Sequence, residues 1–297
     1  MVRIALLLLV AGGCDLVIAI EEPAPTACGP YGSLTPVAFD PLIEAPYGFS
    51  VRANGMLGAV TARVAGVTHT YVIQLDDTGV WRLHSNPARN TGLGAVRDGS
   101  IGDRGATEVD ELYGATGEPG ATFTWIFATP TWGTDANPIK QDQLYDVTVG
   151  NVVEVVEEID GVIVPQRKRA VVTLTPDDGV GKNLLLFTDL LAPYAGALWN
   201  DDPERTDPIN RDPDESPSQG VLTDDLFTLV YAARRRGGSS DLYVSRRDDV
   251  TRQWRPGTRL RGVNTDADEL EPWINRDCST LYFFRDGVTY QAQRVDE

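Results

Sequence analysis

One nine-residue pattern occurs twice in the last third of the chain, and this repeat limits the possible folds more than any other feature. Residues 223–231 have the sequence Thr-Asp-Asp-Leu-Phe-Thr-Leu-Val-Tyr, and residues 275–283 have the sequence Asn-Arg-Asp-Cys-Ser-Thr-Leu-Tyr-Phe. The offset between Asp225 and Asp277 is 52 residues (277 − 225). Each copy predicts an Asp-containing turn followed by an apolar strand. One small sheet cannot bury both of its faces alone, so we expect several sheets to stack around an axis.

Short β-type segments also recur through the rest of the chain, and no long helical period follows residue 27. The segments are residues 57–63, 69–75, 80–84, 121–128, 143–149, 152–157, 170–174, 183–188, 226–232, 241–245, 280–284 and 288–293. The 29 glycines and 19 prolines suit many tight turns between short strands. The sequence therefore predicts an all-β fold, which could be a sandwich, a barrel or a propeller.

The repeat favours the propeller among these three architectures. Residues 34–297 number 264 (297 − 34 + 1), which at about 40–50 residues per blade allows five or six blades. A propeller ring must be closed, and residues 34–39 are the candidate N-terminal strand for the last blade. We therefore predict an all-β β-propeller of five or six blades, closed by its N- and C-terminal strands, in a single domain at residues 31–297.

Two further segments carry a resemblance to a known family. Residues 235–243 have the sequence Arg-Arg-Gly-Gly-Ser-Ser-Asp-Leu-Tyr, and residues 264–272 have the sequence Asn-Thr-Asp-Ala-Asp-Glu-Leu-Glu-Pro. With the nine-residue repeat, they make residues 214–284 resemble the WD-repeat-like β-propeller repeats of the TolB type. The chain departs from the Asp-Gly turn of that family, because Leu226 and Cys278 follow the aspartates. TolB-like proteins bind peptides and other envelope lipoproteins, so the resemblance implies an envelope protein or peptide partner.

The N-terminal segment has the pattern of an export and anchoring signal. Residues 1–14 have the sequence Met-Val-Arg-Ile-Ala-Leu-Leu-Leu-Leu-Val-Ala-Gly-Gly-Cys. The apolar segment 4–11 is too short to span a hydrocarbon core of about 30 Å, and it has the size of a signal-peptide core. Small residues precede Cys14, and its thiol can be acylated. The pattern resembles the bacterial lipoprotein box; the alternative is a buried helix or strand that begins the fold.

The lipoprotein resemblance implies three segments with different roles. Residues 1–13 are a signal peptide, Cys14 carries the lipid, palmitate included, and residues 14–30 form a lipidated tether. Two or more acyl chains anchor a protein stably. We therefore expect a cell-envelope protein anchored in the inner or the outer membrane, facing the periplasm or the cell exterior.

Cys28 and Cys278 remain once Cys14 is assigned to the lipid. An exported compartment permits disulfides. A bridge between them would close a loop of 250 residues (278 − 28) and would fasten a propeller where its two ends meet. The alternative is two unpaired thiols, one of them buried.

The charge distribution indicates which kinds of partner the chain can bind. The chain has 43 acidic and 26 basic residues, a formal net charge of −17, which argues against nucleic acid as a partner. Residues 234–261 nevertheless hold nine arginines against three aspartates. Such a patch could bind a carboxylate- or phosphate-bearing partner through bidentate contacts; the alternative is that these arginines pair with the aspartates of the repeat. The candidate patch residues are Arg234, Arg235, Arg236, Arg246 and Arg247.

The remaining candidate chemistry is weak. Seven carboxylates at 200–217 could hold calcium, but Pro203, Pro208 and Pro213 favour a solvated loop between blades. His69 and His84 are interpreted as a strand and a turn residue. The Gly-x-Ser-x-Gly and His-Glu-x-x-His motifs and phosphate-binding glycine loops are absent from the sequence, so we assign no catalytic residue, no metal and no cofactor.

The sequence thus predicts a monomeric, membrane-anchored lipoprotein whose propeller is a non-catalytic scaffold that binds a protein or another ligand. The alternative is a propeller-type glycosidase or lyase acting on polysaccharide. A glycosidase would place two carboxylates about 5–9.5 Å apart across the central channel.

Overall fold

The computed structural model describes residues 28–295 of the chain with internal gaps. The gaps are residues 53–54, 86–95, 103–110, 117–123, 129–133, 138–144, 156–157, 160–161, 164–166, 177–183, 191–207, 213, 224, 249–252 and 276. Across the described part of the chain, no helix has the length and apolar character needed to cross a membrane.

Nearly all of the regular structure is β-strand, as the sequence predicts; residues 208–211 form a single helical turn. The strands are β1 (Tyr31–Pro36), β2 (Glu44–Val51), β3 (Leu57–Val64), β4 (Val67–Leu75), β5 (Trp81–Leu83), β6 (Val96–Gly102), β7 (Glu111–Thr116), β8 (Thr124–Ala128), β9 (Thr134–Asn137), β10 (Tyr145–Val155), β11 (Glu158–Ile159), β12 (Val162–Ile163), β13 (Arg167–Pro176), β14 (Leu184–Leu190), β15 (Glu215–Leu222), β16 (Thr228–Arg235), β17 (Ser240–Arg246), β18 (Thr258–Arg259), β19 (Glu269–Ile274), β20 (Thr280–Arg285) and β21 (Val288–Arg294).

The strands form a series of small antiparallel sheets that follow one another along the chain. Sheet 1 contains β2–β5, sheet 2 contains β6–β9, sheet 3 contains β10, β13 and β14, and sheet 4 contains β15–β18. Sheet 5 has the strand order β1-β21-β20-β19, and β11 pairs with β12 as a separate hairpin. Strands β2, β6, β10, β15 and β19, one from each sheet, contact one another in that order, and β19 also contacts β2 of sheet 1. This arrangement is propeller-like.

The N-terminal strand lies beside the C-terminal strand in sheet 5. Tyr31 pairs with Arg294 and Pro36 with Tyr290. The strand begins three residues earlier than residues 34–39, the predicted closing strand (34 − 31 = 3). Phe39 lies beyond it and forms an isolated bridge with Trp81 at the edge of sheet 1.

Strand β16 shows how a sheet is covered on both faces. Its first six residues, 228–233, are all buried, although only every second side chain points to the same face. Val230 and Ala232 pack into a cluster shared with sheets 1 and 5. Leu229, Tyr231 and Ala233 pack into a second cluster that includes Val171 of sheet 3. Sheet 4 is therefore packed between its neighbours, which explains the continuous apolar stretch at residues 226–232 of the sequence.

The two copies of the nine-residue pattern form the same turn. Asp225 accepts a hydrogen bond from the N–H of Phe227 (2.9 Å), and Asp277 accepts one from the N–H of Ser279 (3.0 Å). Leu226 and Cys278 have φ angles of 62° and 54°, in the left-handed region that favours glycine. The two residues that depart from the Asp-Gly pattern therefore adopt the backbone conformation that a glycine would adopt there.

One strand in each of sheets 1–5 contains a β-bulge at an equivalent position, and these strands are β2, β6, β10, β15 and β19. The register shifts follow Tyr47, Arg97, Val149, Ser218 and Leu270. The first bulged residues are therefore Gly48, Asp98, Gly150, Gln219 and Glu271. A bulge bends its strand and increases the local twist. This repeat extends through sheets 1–3, where the amino-acid repeat is weak.

Gly150 shows how closely the first strands of sheets 3 and 4 approach each other. A Cβ atom added there would lie 1.6 Å from the carbonyl oxygen of Gly220. We expect Gly150→Ala to lower the free energy of unfolding by about 2–3 kcal/mol, because backbone must move to admit the methyl group. Gly238→Ala is the control, since its Cβ would lie 3.7 Å from the nearest atom. Urea unfolding of both variants checks the prediction, and equal midpoints would contradict it.

Candidate binding site

The bulges are linked from sheet to sheet by side-chain hydrogen bonds. The Gln219 N–H donates to Thr173 Oγ1 (2.7 Å), and the Glu271 N–H donates to Gln219 Oε1 (2.8 Å). The Gly48 N–H in turn donates to Glu271 Oε2. Each of these three backbone donors is thus satisfied by a side chain of the preceding sheet. Thr173, Gln219 and Glu271 therefore hold neighbouring sheets together.

The structure does not bring the five candidate patch arginines together. Arg234 and Arg235 lie at the end of β16, and Arg236 follows them. Arg246, on β17, lies opposite Thr228 at the start of β16. At 3.4 Å per residue, Thr228 lies about 20 Å along the strand from Arg234. Arg247 is buried, its guanidinium lies 4.6 Å from the centre of the Trp254 ring, and its Nε donates to the Leu226 carbonyl (2.7 Å). Arg247 therefore contributes to the core and not to an exposed patch.

Arg234 and Arg235 instead pair with carboxylates of the repeat, as the alternative interpretation expects. Arg234 Nη2 lies 3.1 Å from Asp268, and Arg235 donates to Glu215 from both Nε (2.8 Å) and Nη2 (2.6 Å). This bond to Glu215 raises the pKa of Arg235. Cross-strand Glu–Arg pairs at the corresponding register join Glu44 to Arg63 and Glu269 to Arg285. Arg235 therefore belongs to the repeated Glu–Arg pairs and is bound to a carboxylate of its own sheet.

A different set of arginines lines a cleft with a volume of about 410 Å³. It lies between the β17–β18 edge of sheet 4 and the N-terminal segment Cys28–Pro30. We call it the arginine cleft, after Arg246, Arg255, Arg259 and Arg261. Its apolar lining includes Pro30, Val244 and Leu260, and none of its described lining residues carries a carboxylate. Arg246 is the only one of the five candidate patch residues found here.

Asn264 holds the backbone of one cleft wall in place. Its side-chain nitrogen donates to the carbonyls of Leu242 (2.8 Å) and Leu260 (3.0 Å), and its oxygen accepts from the Leu242 N–H (2.7 Å). The Arg255 N–H donates to the Arg246 carbonyl (2.9 Å). The arginines therefore extend from backbone that is already hydrogen-bonded, which lowers the entropic cost of ordering them around a ligand.

The arginines of the cleft differ in how well they are neutralised. Arg255 pairs with Asp248 at 2.6 Å, but both side chains are mostly exposed, and such pairs contribute little. Arg259 pairs with the largely buried Asp241, and this hydrogen bond raises the pKa of Arg259. Arg246 is exposed and has no ion pair within the described ranges. Arg246 therefore adds positive charge to the cleft, on a chain of net charge −17.

The predicted Cys28–Cys278 disulfide is present and forms part of this site. The bridge joins the segment before β1 to the β19–β20 turn. The Tyr31 hydroxyl donates to the Cys278 carbonyl (3.0 Å), and the Tyr31 N–H donates to the Arg261 carbonyl (3.1 Å). These contacts hold the N-terminal segment against sheets 4 and 5, and Cys28 itself lines the cleft.

The remaining sequence predictions concern Cys14, the acidic segment at 200–217 and the two histidines. Cys14 and residues 200–207 lie outside the described residues. No group of three His, Cys, Asp or Glu side chains suited to a metal is found in the part that is described. His69 lies on β4, and His84 directly follows β5, as interpreted from the sequence. The cleft itself was missed because arginine counting does not show which side chains share a face.

Comparison with known proteins identifies the fold but no family. No family model and no curated protein matches the chain. A bifunctional GH43-CE protein of Bacteroides eggerthii matches with a TM-score of 0.50 and 15% identity, covering 89% of this chain and 35% of that one. TolB of Acinetobacter baumannii matches with a TM-score of 0.46 and 10% identity, covering 84% of this chain and 54% of TolB.

A periplasmic gluconolactonase of Pseudomonas aeruginosa matches with a TM-score of 0.41 and 10% identity, covering 84% of this chain and 65% of that one. The chain thus spans about half the length of TolB and about a third of the GH43-CE protein. Likeness at such low identity bears on the fold alone. Together with the succession of small antiparallel sheets, it identifies the chain as a β-propeller-like protein.

Proposed function

We propose that this chain is a cell-envelope lipoprotein whose propeller is a non-catalytic scaffold, and that it binds an acidic partner in the arginine cleft. One observation carries the proposal: four arginines line one cleft that no described carboxylate lines, on a chain of net charge −17. Guanidinium groups match carboxylates and phosphates bidentately. A cationic cleft on an acidic surface selects acidic groups that the rest of the protein repels.

The proposed scaffold is a five-bladed ring. The contacts between β2, β6, β10, β15 and β19 support this count, because they link five sheets in succession and return to the first. The pairing of β1 with β21 supports closure by the two ends of the chain. A closed ring protects its strands from edge pairing and gives the surface sites a rigid support.

The proposed anchor is lipid on Cys14, attached after removal of residues 1–13. Its support is the lipoprotein-box pattern and the Cys28–Cys278 disulfide, which suits an oxidising compartment. Affinity capture of the lipidated protein from its native envelope tests the scaffold role. We expect specific proteins or peptides to be enriched over a Cys14→Ser control. No enrichment over that control would contradict the scaffold role.

A polysaccharide hydrolase is the second candidate, and the bulges favour it in one respect. Backbone register places Asp98 and Glu271 at equivalent bulges of sheets 2 and 5, so two residues with carboxylate side chains occupy corresponding backbone positions. The Glu271 carboxylate, however, already accepts the Gly48 N–H. We expect no hydrolysis of envelope polysaccharides by the wild type or by Glu271→Gln, which keeps an acceptor oxygen. Hydrolysis by the wild type that Glu271→Gln abolishes would establish the enzyme instead.

A further inference from the structure

The arginine cleft lies where the proposed tether joins the folded domain. Cys28, Gly29 and Pro30 form one of its walls. Cys14 precedes Cys28 by 14 residues (28 − 14), a length that spans at most about 50 Å when fully extended. A lipid on Cys14 would therefore keep the cleft close to the membrane surface.

The chemistry of the cleft suits a phosphate group attached to a less polar stem. Arginine forks bind phosphate oxygens through paired hydrogen bonds. Pro30, Val244 and Leu260 provide an apolar surface beside the arginines. A volume of about 410 Å³ lies within the range of small-ligand sites. A phospholipid headgroup with the start of its glycerol backbone has this combination of properties.

The charge distribution would also orient the protein at a membrane. The net charge of −17 repels an anionic bilayer as a whole. Salt screens charges that lie farther from the surface than about 8–10 Å, so the groups nearest the bilayer decide the local interaction. Near the base of the tether those groups include Arg246, which has no ion pair within the described residues, and the exposed pair of Arg255 with Asp248.

We propose that the arginine cleft binds the phosphate of an anionic phospholipid headgroup in the membrane that holds the anchor. The inference rests on the proposed lipid anchor and names the acidic partner of the same cleft. Tethering supplies headgroups at an effective concentration of about millimolar, which raises the occupancy of the site above what its own affinity gives. Binding docks the propeller with the β17–β18 edge and the Cys28–Pro30 segment towards the bilayer.

The test uses the mature chain, residues 14–297, with Cys14→Ser, so that neither lipid nor signal peptide contributes. Co-sedimentation is measured with phosphatidylcholine vesicles and with vesicles that also contain phosphatidylglycerol. Inorganic phosphate is titrated separately by calorimetry. The cleft variant is Arg246→Gln/Arg255→Gln. The control is Arg236→Gln, an exposed arginine that has no ion pair within the described residues and lies beyond the far end of β16. Thermal unfolding verifies that each variant is folded.

We expect binding only to the phosphatidylglycerol vesicles, a loss of at least tenfold in the cleft variant, and a change below about twofold in the control. Equal binding by all three proteins would overturn the assignment to the cleft. Binding of free phosphate without vesicle binding would overturn the lipid source. Absence of both, combined with cleft-dependent capture of an envelope protein, would overturn this inference while leaving the proposed scaffold function intact.

Discussion

Replacing Cys28 and Cys278 together with alanine is expected to lower the free energy of unfolding by about 2–5 kcal/mol. The bridge closes a 250-residue loop, so its loss frees an unusually large part of the unfolded chain. Loss of the bridge also releases the segment before β1, which forms one wall of the cleft. In the wild type, the hydrogen bond from the Tyr31 hydroxyl to the Cys278 carbonyl helps to hold this segment in place. Alanine is chosen because both cysteines are buried, and a serine hydroxyl would be left inside the protein.

Urea unfolding of residues 14–297 produced without the lipid measures this effect, and Cys14→Ala provides a control with one thiol removed and the bridge intact. The wild type under reducing conditions should behave like the double variant. A decrease smaller than about 0.5 kcal/mol would show that the bridge does not stabilise the closure of sheet 5.

Removal of the buried Glu269 carboxylate is also expected to lower the free energy of unfolding by a large amount. Glu269 is fully buried, accepts hydrogen bonds from the hydroxyl (2.6 Å) and N–H (3.2 Å) of Thr265, and lies 3.6 Å from Arg285. We expect Glu269→Ala to cost about 3–5 kcal/mol, because it leaves the mostly buried Arg285 without its carboxylate.

The repeat supplies a matched control for this substitution at Glu44. Glu44 and Arg63 form the corresponding pair of sheet 1 at 2.7 Å, but their side chains are 50% and 55% exposed. Glu44→Ala should therefore cost less than about 1 kcal/mol. Thermal and urea unfolding of the two variants measure the difference. Equal losses would mean that burial does not set the contribution of this repeated pair.

The repeat made the C-terminal sheets predictable. The segments 241–245 and 280–284 predicted from apolar alternation agree with β17 and β20 to within a residue at each end. The cysteine pair was also predictable, because assigning Cys14 to a lipid leaves two partners. These inferences depend on local patterns or on counting, both of which a sequence provides directly.

Other features depend on how strands align, and local patterns do not encode that alignment. Arg236 and Arg246 are ten residues apart in sequence (246 − 236), yet the β16–β17 register puts them at opposite ends of the sheet. The bulges at Gln219 and Glu271 have φ angles of 49° and 53°, which nothing in their residue types suggests. The arginine cleft likewise requires the N-terminal segment to pack against β18, a contact between the two ends of the chain.

Site-specific photocrosslinking in the native envelope tests the central claim most directly, because it reports what occupies the cleft in place. One photoreactive residue replaces Thr258, which is exposed and lines the cleft, and another replaces the exposed Val67 at the start of β4 as a control. We expect adducts with an acidic partner, anionic lipid included, from position 258 and not from position 67. An absence of adducts at position 258, or the same adducts at both positions, would contradict it.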